Sequence, residues 1–162
     1  MAPISVFGTR VYLCSADVGE ELTFPLNPFG RVDDSVYYIF EGAFAAHVME
    51  TGEVLANRTA GFINTNPAAM AATAGSVRVT ATGAATKWAC VQRRHKAIPD
   101  LKKFELLAGQ QVTLQAGARI FIIKGELQTT AGVVSPAECL AVESDTQVTA
   151  STDVRGLDFT QG

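Results

Sequence analysis

Gly19-Glu20-Glu21-Leu22-Thr23-Phe24 returns as Gly109-Gln110-Gln111-Val112-Thr113-Leu114, an offset of 90 residues. Two further segments recur in the same order. Tyr38-Ile39-Phe40-Glu41-Gly42 matches Phe121-Ile122-Ile123-Lys124-Gly125 at an offset of 83, and Val79-Thr80-Ala81 matches Val148-Thr149-Ala150 at 69. The offsets fall because the first copy has the longer loops, around residues 25–35, 43–51 and 62–76. Collinear matches with apolar facing apolar point to a tandem duplication. Carried on without a gap, the last match sets Trp88 on Leu157 and Cys90 on Phe159. The copies occupy residues 1–92 and 104–162, with a junction at 93–103.

The repeated segments read as strands. Arg10–Cys14, Val36–Phe40, Ser76–Thr80, Lys87–Val91 and Arg119–Ile123 are short and rich in β-branched and aromatic residues, with Gly, Asn, Asp or Pro between them. Asn66–Ala72 and Pro99–Lys103 are the only stretches that read as short helical turns. Many short strands and frequent turns predict an all-β, mostly antiparallel architecture with little helix. Composition agrees with a folded domain: 48% of residues are hydrophobic and 18% charged, too apolar for a disordered chain. No apolar run reaches the roughly 18 residues of a membrane span. The expectation is a soluble chain without a membrane partner. A net charge of −3 argues against a general nucleic-acid binder. Cys14, Cys90 and Cys139 lack a CxxC spacing and sit in apolar segments, so they read as small buried hydrophobes.

Each copy has an apolar strand ending in a glycine, then a hairpin, then a second turn. In the first these are Gly42, Thr51-Gly52-Glu53 and Thr59-Ala60-Gly61-Phe62. In the second they are Gly125, Ala131-Gly132 and Ser135-Pro136-Ala137-Glu138. This pattern resembles the cupin family, which implies two small jelly-roll barrels in tandem. The resemblance also implies a metal held by two histidines and a glutamate before the hairpin glycine, and by a histidine after the second turn. The implied positions carry none of these. The glutamate position is Ser35 in the first copy and Ala118 in the second. The paired-histidine regions are Phe29-Gly30-Arg31 and Val112-Thr113-Leu114, and the late positions are Asn64 and Ala141. A catalytic transition-metal site needs about three protein ligands, so the expectation is a scaffold with no metal, no cofactor and no catalysis.

The remaining candidates are scattered. His47 and Glu50 are three apart, on opposite faces of a strand. Asp33-Asp34 has no further oxygen ligands nearby in sequence. Tyr37, Tyr38 and Trp88 read as barrel filling, with stacking on a sugar or base as the other reading. Arg93, Arg94 and Lys96, with Lys102 and Lys103, put five cations against one anion across the junction. That stretch is read as a solvated linker or as a docking strip for an acidic neighbour. Asn64 to Gly75, including Asn66 and Met70, is uncharged and rich in small residues, as suits a contact with a partner or a free loop.

Three function classes follow. The first is a non-catalytic assembly protein that contacts copies of itself or a larger shell. Compact Ala-, Thr-, Val- and Gly-rich jelly rolls resemble small virion proteins of tailed bacteriophages, such as capsid decoration (cement) proteins or tail and fibre adaptors. That resemblance implies a virion component assembled in the host cytoplasm. The second is a cupin-like small-molecule binder or metal-independent isomerase, and the third a carbohydrate- or receptor-binding module. The first is the leading expectation.

Overall fold

The computed structural model describes residues 3–25, 34–48, 54–58, 61–65, 76–82, 85–93 and 101–160. Among them there is no helix, and every strand pair is antiparallel. The chain divides into two compact units, Met1–Ile98 and Pro99–Gly162.

The first unit has nine strands: β1 (Ile4–Val6), β2 (Thr9–Ala16), β3 (Glu21–Pro25), β4 (Asp34–Glu41), β5 (Phe44–Val48), β6 (Val54–Arg58), β7 (Gly61–Thr65), β8 (Ser76–Ala81) and β9 (Thr86–Arg93). They form one sheet in the order β1-β2-β9-β4-β7 and another in the order β3-β8-β5-β6. The second unit has eight: β10 (Lys102–Leu106), β11 (Gln111–Leu114), β12 (Arg119–Lys124), β13 (Leu127–Thr129), β14 (Gly132–Val134), β15 (Cys139–Ala141), β16 (Thr146–Ala150) and β17 (Val154–Asp158). Its sheets run β10-β17-β12-β15 and β11-β16-β13-β14. Strand for strand the two units have one topology, a two-sheet jelly roll, with β1 as an added edge in the first.

The matched glycines hold matched turns. Gly19 and Gly109 take φ of +81° and +86°. Their N–H groups donate to Ala81 O at 2.8 Å and Ala150 O at 2.7 Å. Positive φ is the conformation that glycine adopts without a Cβ clash. Gly42 and Gly125 close β4 and β12 at φ +78° and +85°.

The pairing corrects one inferred alignment. In β4, Ile39 faces Trp88 and, across a bulge, Glu41 faces Lys87. In β12, Ile122 faces Gly156 and, across the same bulge, Lys124 faces Arg155. Trp88 therefore matches Gly156, not Leu157, and Cys90 matches Asp158, not Phe159. The cause is a loop. Thr82 to Ala85 joins β8 to β9, while only Ser151 to Asp153 joins β16 to β17. One residue of slip in a strand moves every side chain to the other face, so the correction decides which residues enter each barrel.

The second barrel closes over an apolar core. Phe104, Leu114, Ala118, Ile120, Ile122, Leu127, Val142, Val148, Ala150 and Val154 pack together inside it. Phe121, Ile123, Leu157 and Phe159 are buried on the opposite face of β12 and β17. In the first unit, Val11, Cys14, Ala16, Ile39, Trp88 and Cys90 are among the buried residues.

Several local expectations change. Lys102 and Lys103 stand in strand β10, not in a helical turn, because Phe104 and Leu106 alternate with Lys103 and Glu105 at the strand period. Cys14 and Cys90 are buried as expected, but Cys139 is exposed, since β15 edges its sheet. Tyr38 is buried on the face of β4 opposite Trp88's partner Ile39, so it does not share Trp88's interior. Asn66–Ala72 lies outside the described residues.

Candidate functional site

Directly paired residues of an antiparallel sheet share a face, so each barrel's large sheet can be read in rows. In the first barrel, Trp88 joins Cys14 and Ile39 in one inward row. This follows from the match of Ile39 to Ile122, which lies in the second barrel's core. The next row runs Ile63–Tyr37–Cys90–Tyr12, and the one beyond it Thr65–Ser35–Gln92–Arg10.

The same rows in the second barrel carry different chemistry. Leu140, Ile120, Asp158 and Lys102 match Ile63, Tyr37, Cys90 and Tyr12. Val142 and Ala118, joined by a 3.0 Å bond from Val142 N–H to Ala118 O, match Thr65 and Ser35. Ala118, Ile120 and Val142 seal that end of the second barrel with apolar side chains. At their register positions the first barrel has Ser35, Tyr37 and Thr65. The two barrels also fill their centres differently. Phe104 and Leu106 pack the second, while Cys14 and Ala16 take their places in the first and Trp88 stands where Gly156 does.

Cys14 and Cys90 share this face and are both buried. Burial, and then the neighbouring Cys90, pushes the Cys14 thiol well above its ordinary pKa. It therefore stays protonated near neutral pH, and its Sγ lies 3.5 Å from Tyr12 O as a weak donor. Thr86, buried beside it, donates its hydroxyl to Ala43 O at 2.7 Å and accepts from Ala43 N–H at 3.1 Å. This bond ties the turn after Gly42 to the start of β9.

Each unit also carries a shallow niche, of ≈ 220 Å³ in the first and ≈ 200 Å³ in the second. Their walls correspond one to one. Ser15, Ala16, Asp17 and Glu20 map on Glu105, Leu106, Leu107 and Gln110, and Ala85, Thr86 and Lys87 map on Asp153, Val154 and Arg155. The shape is repeated but the charges are not. Arg155 pairs with Glu105 at 2.9 Å, whereas Lys87 turns to Glu41 at 3.9 Å. Such exposed pairs are worth about 0–1 kcal/mol each. The niches are a product of the shared topology, and the barrel interiors differ chemically as well.

The contact candidates read from sequence are dispersed. Arg93 ends β9, where its backbone faces Asp34. Lys102 and Lys103 are exposed on β10 opposite Asp158 and Leu157. Both ends of the basic stretch are thus ladder residues, not a linker, and Arg93 and the two lysines belong to different units. Asn64 is on β7 opposite Val36, at the register position of Ala141. Arg94, Lys96, Asn66 and Met70 lie outside the described residues. Sequence reasoning missed the polar rows. Their signal was the matched pairs Ser35/Ala118 and Tyr37/Ile120, which form rows only once the neighbouring strands are known.

No protein-family model matches the chain, and no curated protein matches it. Solved structures do. YhhW from Escherichia coli superposes with a TM-score of 0.61 over 98% of this chain and 82% of its own, at 16% identity. A quercetin 2,3-dioxygenase from Acinetobacter baumannii superposes with a TM-score of 0.61 over 94% of this chain and 74% of its own, at 11% identity. The fold is cupin-like. A second structure, bacterial pirin YhhW in complex with nickel(II), matches over 100% of this chain and 85% of its own, with a TM-score of 0.56 and 13% identity.

These likenesses bear on two expectations. None of the three is a virion protein, so the bacteriophage reading draws no support from them. The expectation that the chain is not an enzyme is overturned, because a dioxygenase shares the fold over 94% of this chain. The missing ligands argue against one metal chemistry only. They do not bear on the register rows that hold Tyr37 with Cys90 and Ser35 with Gln92.

The metal that cupin-like folds imply does not fit the implied positions. Ala118 and Leu114 are buried in a hydrocarbon core, and Val112 packs against it. Ala141 is exposed, and its neighbours Leu140 and Val142 turn inward instead. Ser35 matches Ala118 and Asn64 matches Ala141, so the first barrel has no histidine or carboxylate at either of those places. Among the described residues there is no group of three or more His, Cys, Asp or Glu that could hold an ion.

Proposed function

We propose that this is a cupin-fold protein that binds a small organic molecule in its first barrel, while the second barrel is closed by its own apolar core. One observation carries the reading: Ser35, Tyr37 and Thr65 take the register positions that Ala118, Ile120 and Val142 close with hydrocarbon in the second copy. Hydroxyl and phenol residue types are uncommon choices for positions that a packed barrel fills with hydrocarbon. Such a residue set fits a small-molecule site, which is an apolar pocket with a few polar groups. Tyr12 and Tyr37 in one row, and Ser35, Thr65, Gln92 and Arg10 in the next, suit a ligand with a flat body and a polar or anionic end.

The test exchanges the two barrels' residues. Fragments carrying phenol, carboxylate or polyol groups would be screened by ligand-observed NMR, and the hits measured by calorimetry. Ser35→Ala with Thr65→Val should weaken the hits at least tenfold and leave the unfolding temperature nearly unchanged. If binding survives the double substitution, or if no fragment binds the wild type, the first-barrel reading is wrong.

A further inference from the structure

We propose that Cys14 and Cys90 form a two-thiolate site inside the first barrel for a soft monovalent cation of the Cu(I) class. The inference stands on strand register and is independent of the small-molecule reading. Cys14 faces Trp88 and Tyr12 faces Cys90 across the β2–β9 ladder, so the two cysteines are diagonal neighbours on one face. Both are buried and neither is in a disulfide.

Diagonal spacing selects the chemistry. Diagonal residues lie about 7–8 Å apart, with Cβ atoms somewhat closer. A disulfide needs Cβ atoms about 3.5–4.5 Å apart, so a direct S–S bond is strained here. An ion between the sulfurs needs no such approach: two metal–sulfur bonds of about 2.3 Å hold the sulfurs roughly 4.5 Å apart. Thiolate ligands in an apolar shell favour Cu(I) over harder ions. Zn(II), which takes four ligands, finds only two sulfurs among the described residues here. Binding releases both thiol protons and leaves a dithiolate–Cu(I) centre of net charge −1, with no change of oxidation state. Arg10 lies on the same face of β2 as Tyr12 and Cys14 and brings a positive charge to that side. Burial first, and the neighbouring Cys90 after it, raise the Cys14 thiol, and the second cause is a sign that the two sulfurs are close.

The test uses the full chain with Cys139→Ser, which removes the exposed thiol. Cu(I) is supplied anaerobically as its bicinchoninate complex. One equivalent should transfer to the protein, X-ray absorption should report two sulfur neighbours, and Trp88 emission should be quenched. Adding Cys14→Ser or Cys90→Ser should weaken retention at least a hundredfold, and Zn(II) should not be retained by any variant. Should a serine variant fail to fold, stoichiometry and sulfur count in the Cys139→Ser protein still decide. No Cu(I) transfer, a sulfur count other than two, or equal retention in the serine variants would overturn the proposal.

Discussion

Gly125→Ala should destabilise the second barrel by about 3 kcal/mol or more, while Gly109→Ala should cost about 1–2 kcal/mol. Both glycines have nearly the same positive φ, +85° and +86°, and an alanine in that conformation costs about 1–2 kcal/mol. They differ in surroundings. A Cβ on Gly109 would meet nothing within 4 Å, whereas one on Gly125 would overlap the carbonyl oxygen of Asp153. Thr152 Oγ1 accepts the next N–H, from Glu126, at 3.0 Å, so the turn is pinned on the β16–β17 loop and has little room to move. Urea denaturation of the two variants would measure the difference. Equal effects would mean that the turn after β12 is not docked on that loop.

Trp88→Ala should cost about 3–5 kcal/mol, the range for removing a large aromatic from a core. Trp88 is 0% exposed. Its row partner is Cys14, where the second barrel has the larger Phe104, and Ala16 stands where that barrel has Leu106. The indole therefore fills space that small neighbours leave open, and Cys14 and Ala16 cannot close over its loss. A refilling double substitution, Trp88→Gly with Cys14→Phe, imports the second barrel's arrangement and should recover part of the loss. Denaturant midpoints would check both. A small loss for Trp88→Ala, under about 1 kcal/mol, would contradict the inward assignment.

The duplication was legible because its turns need glycine. Gly19 and Gly109, Gly42 and Gly125 mark places where the backbone goes to positive φ, and a residue type imposed by backbone geometry persists while strand residues drift. The matching of Trp88 was not legible. Val79-Thr80-Ala81 and Val148-Thr149-Ala150 align cleanly, and the loops after them differ by one residue that carries no signal of its own. Only the ladder, with Ile39 on Trp88 and Ile122 on Gly156, locates the gap. The β1–β2 hairpin was missed for a related reason. Its turn is Phe7-Gly8, at φ 47° and 79°, where a primed turn is usually announced by Asn-Gly. Thr9 Oγ1 donates to Val6 O at 2.6 Å and helps hold that turn. The candidate site was hidden for another reason: the match of Ser35 to Ala118 was in view, but the rows that join Ser35 to Gln92 and Tyr37 to Cys90 come only from the ladder.

The reading turns on which barrel receives the ligand, and backbone amide NMR during titration with the fragment hits measures it directly. The account predicts shifts confined to the polar rows of the first barrel: Arg10 to Tyr12, Ser35 to Tyr37, Ile63 to Thr65 and Cys90 to Gln92. Shifts centred on Ala118, Ile120 and Val142, or on the niches beside Lys87 and Arg155, would contradict it.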